Sequence, residues 1–150
     1  AGTINFNGTI NSNDNTMTVA GVPWDLIINT QGLTQLDGGM VGNFNELDNL
    51  ITDDPAAPAS QRGGTTQLLG TFNTVLNQTF NDAVVLTGNV VNNSSMMGDV
   101  SYNSTLDADA TVNDRTLAIN TGGITEFNGR VGDTAQLESG HNRRSRHNGN

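Results

Sequence analysis

Cysteine is absent from this 150-residue chain, which excludes disulfides, thiolate metal sites and a cysteine nucleophile. Lysine is absent too. The six cations are all arginines (Arg62, Arg115, Arg130, Arg143, Arg144 and Arg146), and half of them crowd the last few positions. The body is therefore more acidic than the formal net charge of −9. A lysine-free acidic surface is a poor match for nucleic acid, whose phosphates need cationic side chains. It suits a soluble surface or one that collects divalent cations. Without lysine there is also no Lys–Asn isopeptide staple. Charged residues make up only 14% of the chain, against about 25% in ordinary globular proteins. No window is apolar enough to span a bilayer, so no membrane insertion is expected. No signal peptide precedes the strand-like start at Ala1, so the expectation is a removed signal or an internal piece of a longer protein.

Asparagine, threonine, glycine and serine fill the gap left by charge, and they favour strands, tight turns and polar ladders over long helices. Repetition is the strongest signal. Gly2 to Asn11 recurs as Gly98 to Asp107, with Ile4, Phe6 and Ile10 answered by Val100, Tyr102 and Leu106. Leu26 to Leu36 recurs as Leu117 to Phe127, each carrying an Ile-Asn-Thr core. Met40-Val41-Gly42 then matches Arg130-Val131-Gly132, and Leu47-Asp48-Asn49 matches Leu137-Glu138-Ser139. The order is kept, so the chain reads as a β-repeat domain over 1–139, with one block at about 1–97 and a partial second block at about 98–139. The period, on the order of ninety residues, is too long for one solenoid coil and fits about four.

The pattern predicts an all-β fold. Strands are expected at Ile4–Ile10, Met17–Ala20, Leu26–Asn29, Gln67–Phe72, Asn81–Val91, Val100–Leu106, Thr116–Asn120 and Thr125–Phe127. Phe44–Leu50 suggests a short helix. Asp53–Ser60, with Pro55 and Pro58, reads as an exposed loop open to proteolysis. Stacked strands would set asparagines above one another as amide ladders. An Ig-like β-sandwich is the alternative architecture, since its strands alternate similarly.

Asn81–Thr87, Gly98-Asp99-Val100 and Leu117–Gly132 resemble the repeats of large bacterial exoproteins of the filamentous-haemagglutinin and autotransporter type. The resemblance runs to Ser139. It implies a right-handed parallel β-helix or related β-solenoid, an extracellular or cell-surface location, and a structural or adhesive role with no catalytic residues to carry over. After Ser139 the family pattern would continue Thr-Thr-Asp-Ala-Ala-Gly-Thr-Thr. This chain reads Gly140 to Asn150 instead. Standard codons for that stretch, read one base into the Ser139 codon, can spell Leu-Val-Thr-Thr-Asp-Ala-Ala-Gly-Thr-Thr-Gly. Residues 140–150 are thus expected to be a disordered tail read out of frame.

No nucleophile elbow, phosphate loop or HExxH helix occurs. Gly38-Gly39 and Gly122-Gly123 read as turns between strands. Asn13-Asp14-Asn15 and the set Asp107, Asp109 and Asp114 offer hard oxygen ligands, so Ca2+ or another divalent metal is the candidate cofactor. His141 and His147 are the alternative metal ligands. Glu126, Asp114 and Asp133 are acid–base candidates for a second reading, a metal-dependent hydrolase acting on phosphate or related esters. Such an activity is the kind a functional screen of environmental DNA finds in a fragment. Trp24, the only tryptophan, is expected in the core or capping an edge; its functional reading is a stacking platform for carbohydrate. Asn7, Asn77, Asn93 and Asn103 head Asn-x-Ser/Thr stretches, acceptors only in a eukaryotic secretory pathway. The expected partners are neighbouring repeats or a second copy through uncapped coil ends, and a glycan or other cell-surface ligand.

Overall fold

The computed structural model describes residues 1–12 and 24–138. Among them the chain is nearly all β. The strands are β1 (Thr3–Phe6), β2 (Leu26–Ile28), β3 (Leu33–Val41), β4 (Leu50–Thr52), β5 (Thr65–Thr74), β6 (Gln78–Phe80), β7 (Ala83–Ser94), β8 (Val100–Tyr102), β9 (Leu106–Ala108), β10 (Leu117–Asn120) and β11 (Thr125–Phe127). A single 3-10 turn covers Ala59–Gln61, and no described helix is long and apolar enough to cross a membrane.

The strands form two sheets. The first runs β1-β3-β5-β7-β10, with β9 also on β7; the second runs β11-β8-β6-β4-β2. Every pairing among these strands is parallel. That overturns the Ig-like alternative, whose sheets are antiparallel. Parallel neighbours need long crossovers. Here the crossover from one strand to its neighbour passes through the other sheet, because successive strands alternate between sheets up to β9. Equivalent positions in the second sheet lie 24, 28, 22 and 25 residues apart. The pass length varies, and loops absorb the difference.

In-register pairing turns sequence alternation into columns. Inward positions of β5 and β7 are buried at period two. Leu36, Leu68, Leu86 and Ala108 stack in one column of the first sheet. Phe80, Tyr102 and Phe127 stack in the second, with ring centroids 4.9 and 5.5 Å apart. A one-residue slip would turn each column inside out, so burial itself fixes the register.

The matched repeat stretches fall in opposite sheets. Thr3–Phe6 lies in the first sheet and Val100–Tyr102 in the second; Leu26–Ile28 lies in the second and Leu117–Asn120 in the first. What recurs is a corner. Thr30 Oγ1 accepts the Gly32 N–H at 3.0 Å, and Thr121 Oγ1 accepts the Gly123 N–H at 3.0 Å. Each of these glycines lies against backbone of the preceding pass: a β-carbon at Gly32 would stand 1.8 Å from the Gly2 carbonyl oxygen, and one at Gly123 2.5 Å from that of Met97. The repeated sequence encodes strand, tight corner, strand, wherever on the sheets that unit falls.

Several expectations change. Phe44–Leu50 forms no helix: bends and irregular backbone lead into β4 at Leu50, and Leu47 bridges Thr74. Val100–Leu106 divides between β8 and β9 in different sheets. Gly38 and Gly39 sit inside β3 at a register shift, not between strands. β3, β4 and β6 were not anticipated: three residues give β4 and β6 too little alternation to stand out, and in β3 the Gly38-Gly39 pair read as a turn. Met17–Ala20 lies outside the described residues.

Gly70 marks the second register shift, with φ of 100°. A β-carbon there would stand 2.0 Å from the Gly39 carbonyl oxygen, whereas Gly63, with φ of 101°, has nothing within 4 Å. Gly63→Ala should therefore cost only the backbone strain of about 1–2 kcal/mol. Gly70→Ala should cost distinctly more, because the pass beneath must also shift. Urea midpoints of the two variants measure the difference; equal losses would contradict this packing.

Candidate functional site

Side-chain columns are the most developed polar feature of the surface. At the entry to the second sheet, Asp25 Oδ1 accepts the Asn49 N–H at 3.1 Å, Asn49 Oδ1 that of Asn77 at 3.0 Å, Asn77 Oδ1 that of Asp99 at 2.8 Å and Asp99 Oδ1 that of Ile124 at 2.8 Å. At its exit, Asn128 Nδ2 donates to Asn103 Oδ1 at 2.8 Å, Asn103 Nδ2 to Asn81 Oδ1 at 2.7 Å, and Asn81 Nδ2 to the Thr52 carbonyl at 3.0 Å. A third column, at the exit of the first sheet, runs from Asn120 to Asn93 at 2.8 Å, from Asn93 to Asn73 at 2.8 Å and from Asn73 to the Gly42 carbonyl at 3.3 Å. Amide ladders exist, but on the exposed and partly exposed margins of the sheets and not among buried asparagines, where they were expected.

Inside, polar groups are collected and paired. Gln78 Nε2 donates to the Phe72 carbonyl at 3.0 Å and to the Asn93 carbonyl at 2.9 Å; its Oε1 accepts from Asn92 Nδ2 at 2.5 Å. Tyr102 then donates to Asn92 Oδ1 at 3.1 Å, and burial raises its hydroxyl pKa above the ordinary range. Asp82, 5% exposed, accepts from Thr52 Oγ1 at 2.6 Å and from Thr66 Oγ1 at 2.7 Å. Desolvation raises its pKa; the two threonine bonds work against that, and the nearby Asp53 charge adds to it. Asp53, also buried, sits at positive φ and gathers the ends of the 53–64 loop, accepting from Thr30 N, Gly63 N and Gly64 N at 3.0, 2.6 and 3.2 Å. The first residue of the loop expected to be exposed is thus an internal anchor.

Gln78, Asn92 and Asp82 were not singled out from sequence. A signal existed: each occupies an inward phase, alternating with Phe80, with Val90 and Ser94, and with Val84. A polar residue in that phase must find an internal partner.

The structure does not gather the proposed metal ligands. Asp107 Oδ1 accepts backbone N–H groups of Thr134 and Ala135 at 2.9 and 3.4 Å. Asp109 is held in a two-point ion pair by Arg115, both bonds 2.9 Å, and also takes Asn113 Nδ2. Arg115 holds its carboxyl well below the usual carboxylate range. Among the described residues no three His, Cys, Asp or Glu side chains are grouped as a metal site. Asp133 pairs with Arg130 at 2.9 Å, and Glu126 is exposed on β11. Asn13-Asp14-Asn15, His141 and His147 lie outside the described residues. Trp24 is not in the core: it is 67% exposed, its N–H bonded to Ser12 Oγ at 3.0 Å and its carbonyl to Asp48 N at 3.0 Å.

Two open clefts flank the columns. One, of about 550 Å3, is lined by Asn43, Phe44, Asn45, Glu46 and Asn73, with Phe44 81% exposed. The other, of about 420 Å3, is lined by Asp53, Pro55, Arg62 and Asn81, and the Arg62 Nε is buried there without a hydrogen-bond partner. No protein-family model matches the chain, and no curated protein or solved structure shows significant similarity to it.

The raised pKa of Asp82 gives stability a sign against pH. The folded state holds the proton more tightly than the unfolded chain, so this group's contribution is complete below about pH 4 and declines as pH rises through the raised value. Asp82→Asn should abolish that decline and narrow the stability gap between acid and neutral pH. Urea midpoints across the acid-to-neutral range test this; an unchanged pH slope in the variant would refute it.

Proposed function

We propose that the chain is a parallel β-solenoid module of a secreted bacterial surface protein, with a structural or adhesive role. The single observation that carries this reading is the set of side-chain columns running from pass to pass at the sheet margins. Such columns join like positions on successive passes, as a stack of similar coils requires. The register shifts where β3 pairs with β5 and β5 with β7 are where the first sheet would bend into two faces, as a three-faced coil requires. The absence of cysteine, the low charge and the Asn-Thr-rich outer positions fit an exoprotein repeat, and the resemblance of 81–87 and 98–132 to such repeats supports the compartment.

Small-angle X-ray scattering from dilute full-length chain is the test. The solenoid predicts a skewed pair-distance distribution with a long tail. A symmetric, sphere-like distribution would overturn it. The structural role further predicts no turnover on a broad phosphate and carboxylate ester panel, with or without chelator. Metal-dependent turnover would favour the hydrolase instead.

One observation favours a ligand class for the adhesive role. Phe44 projects from a cleft that Asn43, Asn45, Asn73 and Glu46 line together with Gly42 and Val75, and the exposed Trp24 is tied to it through Ser12, whose Oγ accepts the Trp24 N–H and whose N–H donates to the Asn45 carbonyl. Exposed rings flanked by amides and carboxylates suit saccharides, whose faces are apolar and whose edges are hydroxyls. Glycan-array binding lost in Phe44→Ala or Trp24→Ala is the expected result. Binding unchanged in both would remove this cleft from consideration.

A further inference from the structure

One corner of the stack is built unlike its neighbours. The turn from the second sheet back to the first takes only Asn81 and Asp82 between β6 and β7, and Asn103 to Thr105 between β8 and β9. Between β4 and β5 it takes the whole of Asp53 to Gly64. Long insertions over a rigid scaffold are where binding residues concentrate. The ends of this loop are pinned by Asp53, whose Oδ2 accepts from Gly63 N and Gly64 N. Its crown is held more loosely. Gln31 Nε2 reaches the Ala59 carbonyl at 3.4 Å, while Ala57 N and Gln61 N bond within the loop, to the Asp54 and Pro58 carbonyls. The cleft of about 420 Å3 is formed against the loop by Asp53, Pro55, Ala59, Arg62, Gly63 and Asn81. It is open beside Gly63, where a β-carbon would meet nothing within 4 Å.

Arg62 stands out among the described cations. Arg115 pairs with Asp109 and Arg130 with Asp133, whereas Arg62 joins no ion pair among the described residues. Its Nε is the one buried side-chain nitrogen or oxygen left without a hydrogen-bond partner among them. A buried donor without an acceptor is costly, and the fold avoids it at Gln78, Asn92 and Asp82, which all find internal partners. An arginine fork without an acceptor, on the wall of an open cleft, calls for an acceptor from outside the chain.

The surroundings select its chemistry. A guanidinium meets a carboxylate side-on through Nε and Nη, as Arg115 does with both oxygens of Asp109 at 2.9 Å. A doubly charged anion is disfavoured, because Asp53 lines the same cleft, Asp54 follows it, and the Asp82 and Asp53 charges are close enough to interact. Pro55 and Ala59 supply an apolar wall, and Asn81 Oδ1 keeps a lone pair beyond its bond from Asn103. A single carboxylate on a ring with an apolar face and hydroxyl edges suits all three features, and the cleft volume lies in the range of small-ligand sites.

We infer that the 53–64 loop holds a second ligand site, in which Arg62 binds the carboxylate of a hexuronate sugar. Arg62 Nε and one Nη donate to the two carboxylate oxygens, the C–H face of the ring lies on Pro55 and Ala59, and a ring hydroxyl donates to Asn81 Oδ1. Nε is shut from solvent with the loop as it stands, so binding lifts the loosely held crown. The site is separate from the Phe44 cleft and does not depend on what that cleft binds.

Titration of the 15N-labelled full chain with sodium glucuronate, followed at the arginine Nε–H signals by NMR, tests it. The Arg62 signal is the one missing from Arg62→Lys. It should shift and saturate with glucuronate and stay still with glucose, which lacks the carboxylate. Calorimetry should show inorganic phosphate binding weaker by about tenfold or more. Arg62→Lys keeps the charge but not the fork and should weaken glucuronate binding about tenfold, while Arg62→Gln should abolish it. Ala59→Trp fills the cleft from an exposed position without altering the guanidinium, and should abolish binding as well. Circular dichroism checks the fold of each variant, and if one arginine variant is misfolded, Ala59→Trp and the wild-type Nε–H titration still decide. An Arg62 signal unmoved by glucuronate, an equal response to glucose or phosphate, or binding like wild type in Arg62→Gln or Ala59→Trp would each overturn the site.

Discussion

Parallel pairing in register is the constraint from which the rest follows. It sets like positions on top of one another, pass after pass, so each position must tolerate its own neighbours along the column. Apolar positions do so by packing, as Leu36, Leu68 and Leu86 show. Polar positions need groups that can both give and take. The carboxamide has a donor and an acceptor at opposite corners, and a column of asparagines can continue indefinitely. A carboxylate cannot, and the columns respect that. Where only an acceptor is needed, for a backbone N–H, aspartate and asparagine interchange at Asp25, Asn49, Asn77 and Asp99. Where donor and acceptor are both needed, asparagine alone appears at 73, 93 and 120 and at 81, 103 and 128. Asp53, standing in the latter column, breaks the ladder: Asn81 turns to the Thr52 carbonyl, and Asp53 gathers its own loop instead.

The interior obeys the same rule at higher stakes. A buried polar group without partners costs about 1–3 kcal/mol. Gln78, Asn92 and Tyr102 form one chain of donors and acceptors that closes on backbone carbonyls, and Asp82 is met by a threonine hydroxyl on each oxygen. These groups belong to neighbouring passes, so their satisfaction ties one pass to the next. The bonds also specify register, because a slipped strand would leave several of them unpaired at once.

Much of this was legible in the chain. Period-two alternation marked β5, β7, β10 and β11, and the abundance of asparagine pointed to ladders. The repeat was legible as sequence but not as geometry. Leu26–Leu36 and Leu117–Phe127 share a corner held by Thr30 and Thr121, and the corner works between any two successive strands. Sequence similarity therefore reports local turn chemistry and is silent on which sheet receives it. The carboxylates at 107, 109 and 114 read as a ligand set because they are close in sequence. Asp107 is instead held by a later loop and Asp109 by Arg115. Trp24 was expected in the core or capping an edge; at 67% exposed, just before the edge strand β2, it is not in the core.

A surface built of columns is uniform along its length and distinct at its ends. The sides offer repeated amides, hydroxyls and two clefts, one edged by Phe44 and the other by Arg62. That arrangement, in-register parallel columns, can be tested directly because the chain has no cysteine of its own. Gln35 and Gln67 are paired neighbours whose amides meet at 2.9 Å, and Val85 is one pass further on. Adjacent strands lie about 4.8 Å apart, within the span of about 4.4–6.8 Å between α-carbons that a disulfide accepts. Under mild oxidation Gln35→Cys with Gln67→Cys should cross-link within the monomer, and Gln35→Cys with Val85→Cys should not. Cross-linking of the distant pair, or failure of the adjacent one, would contradict the account.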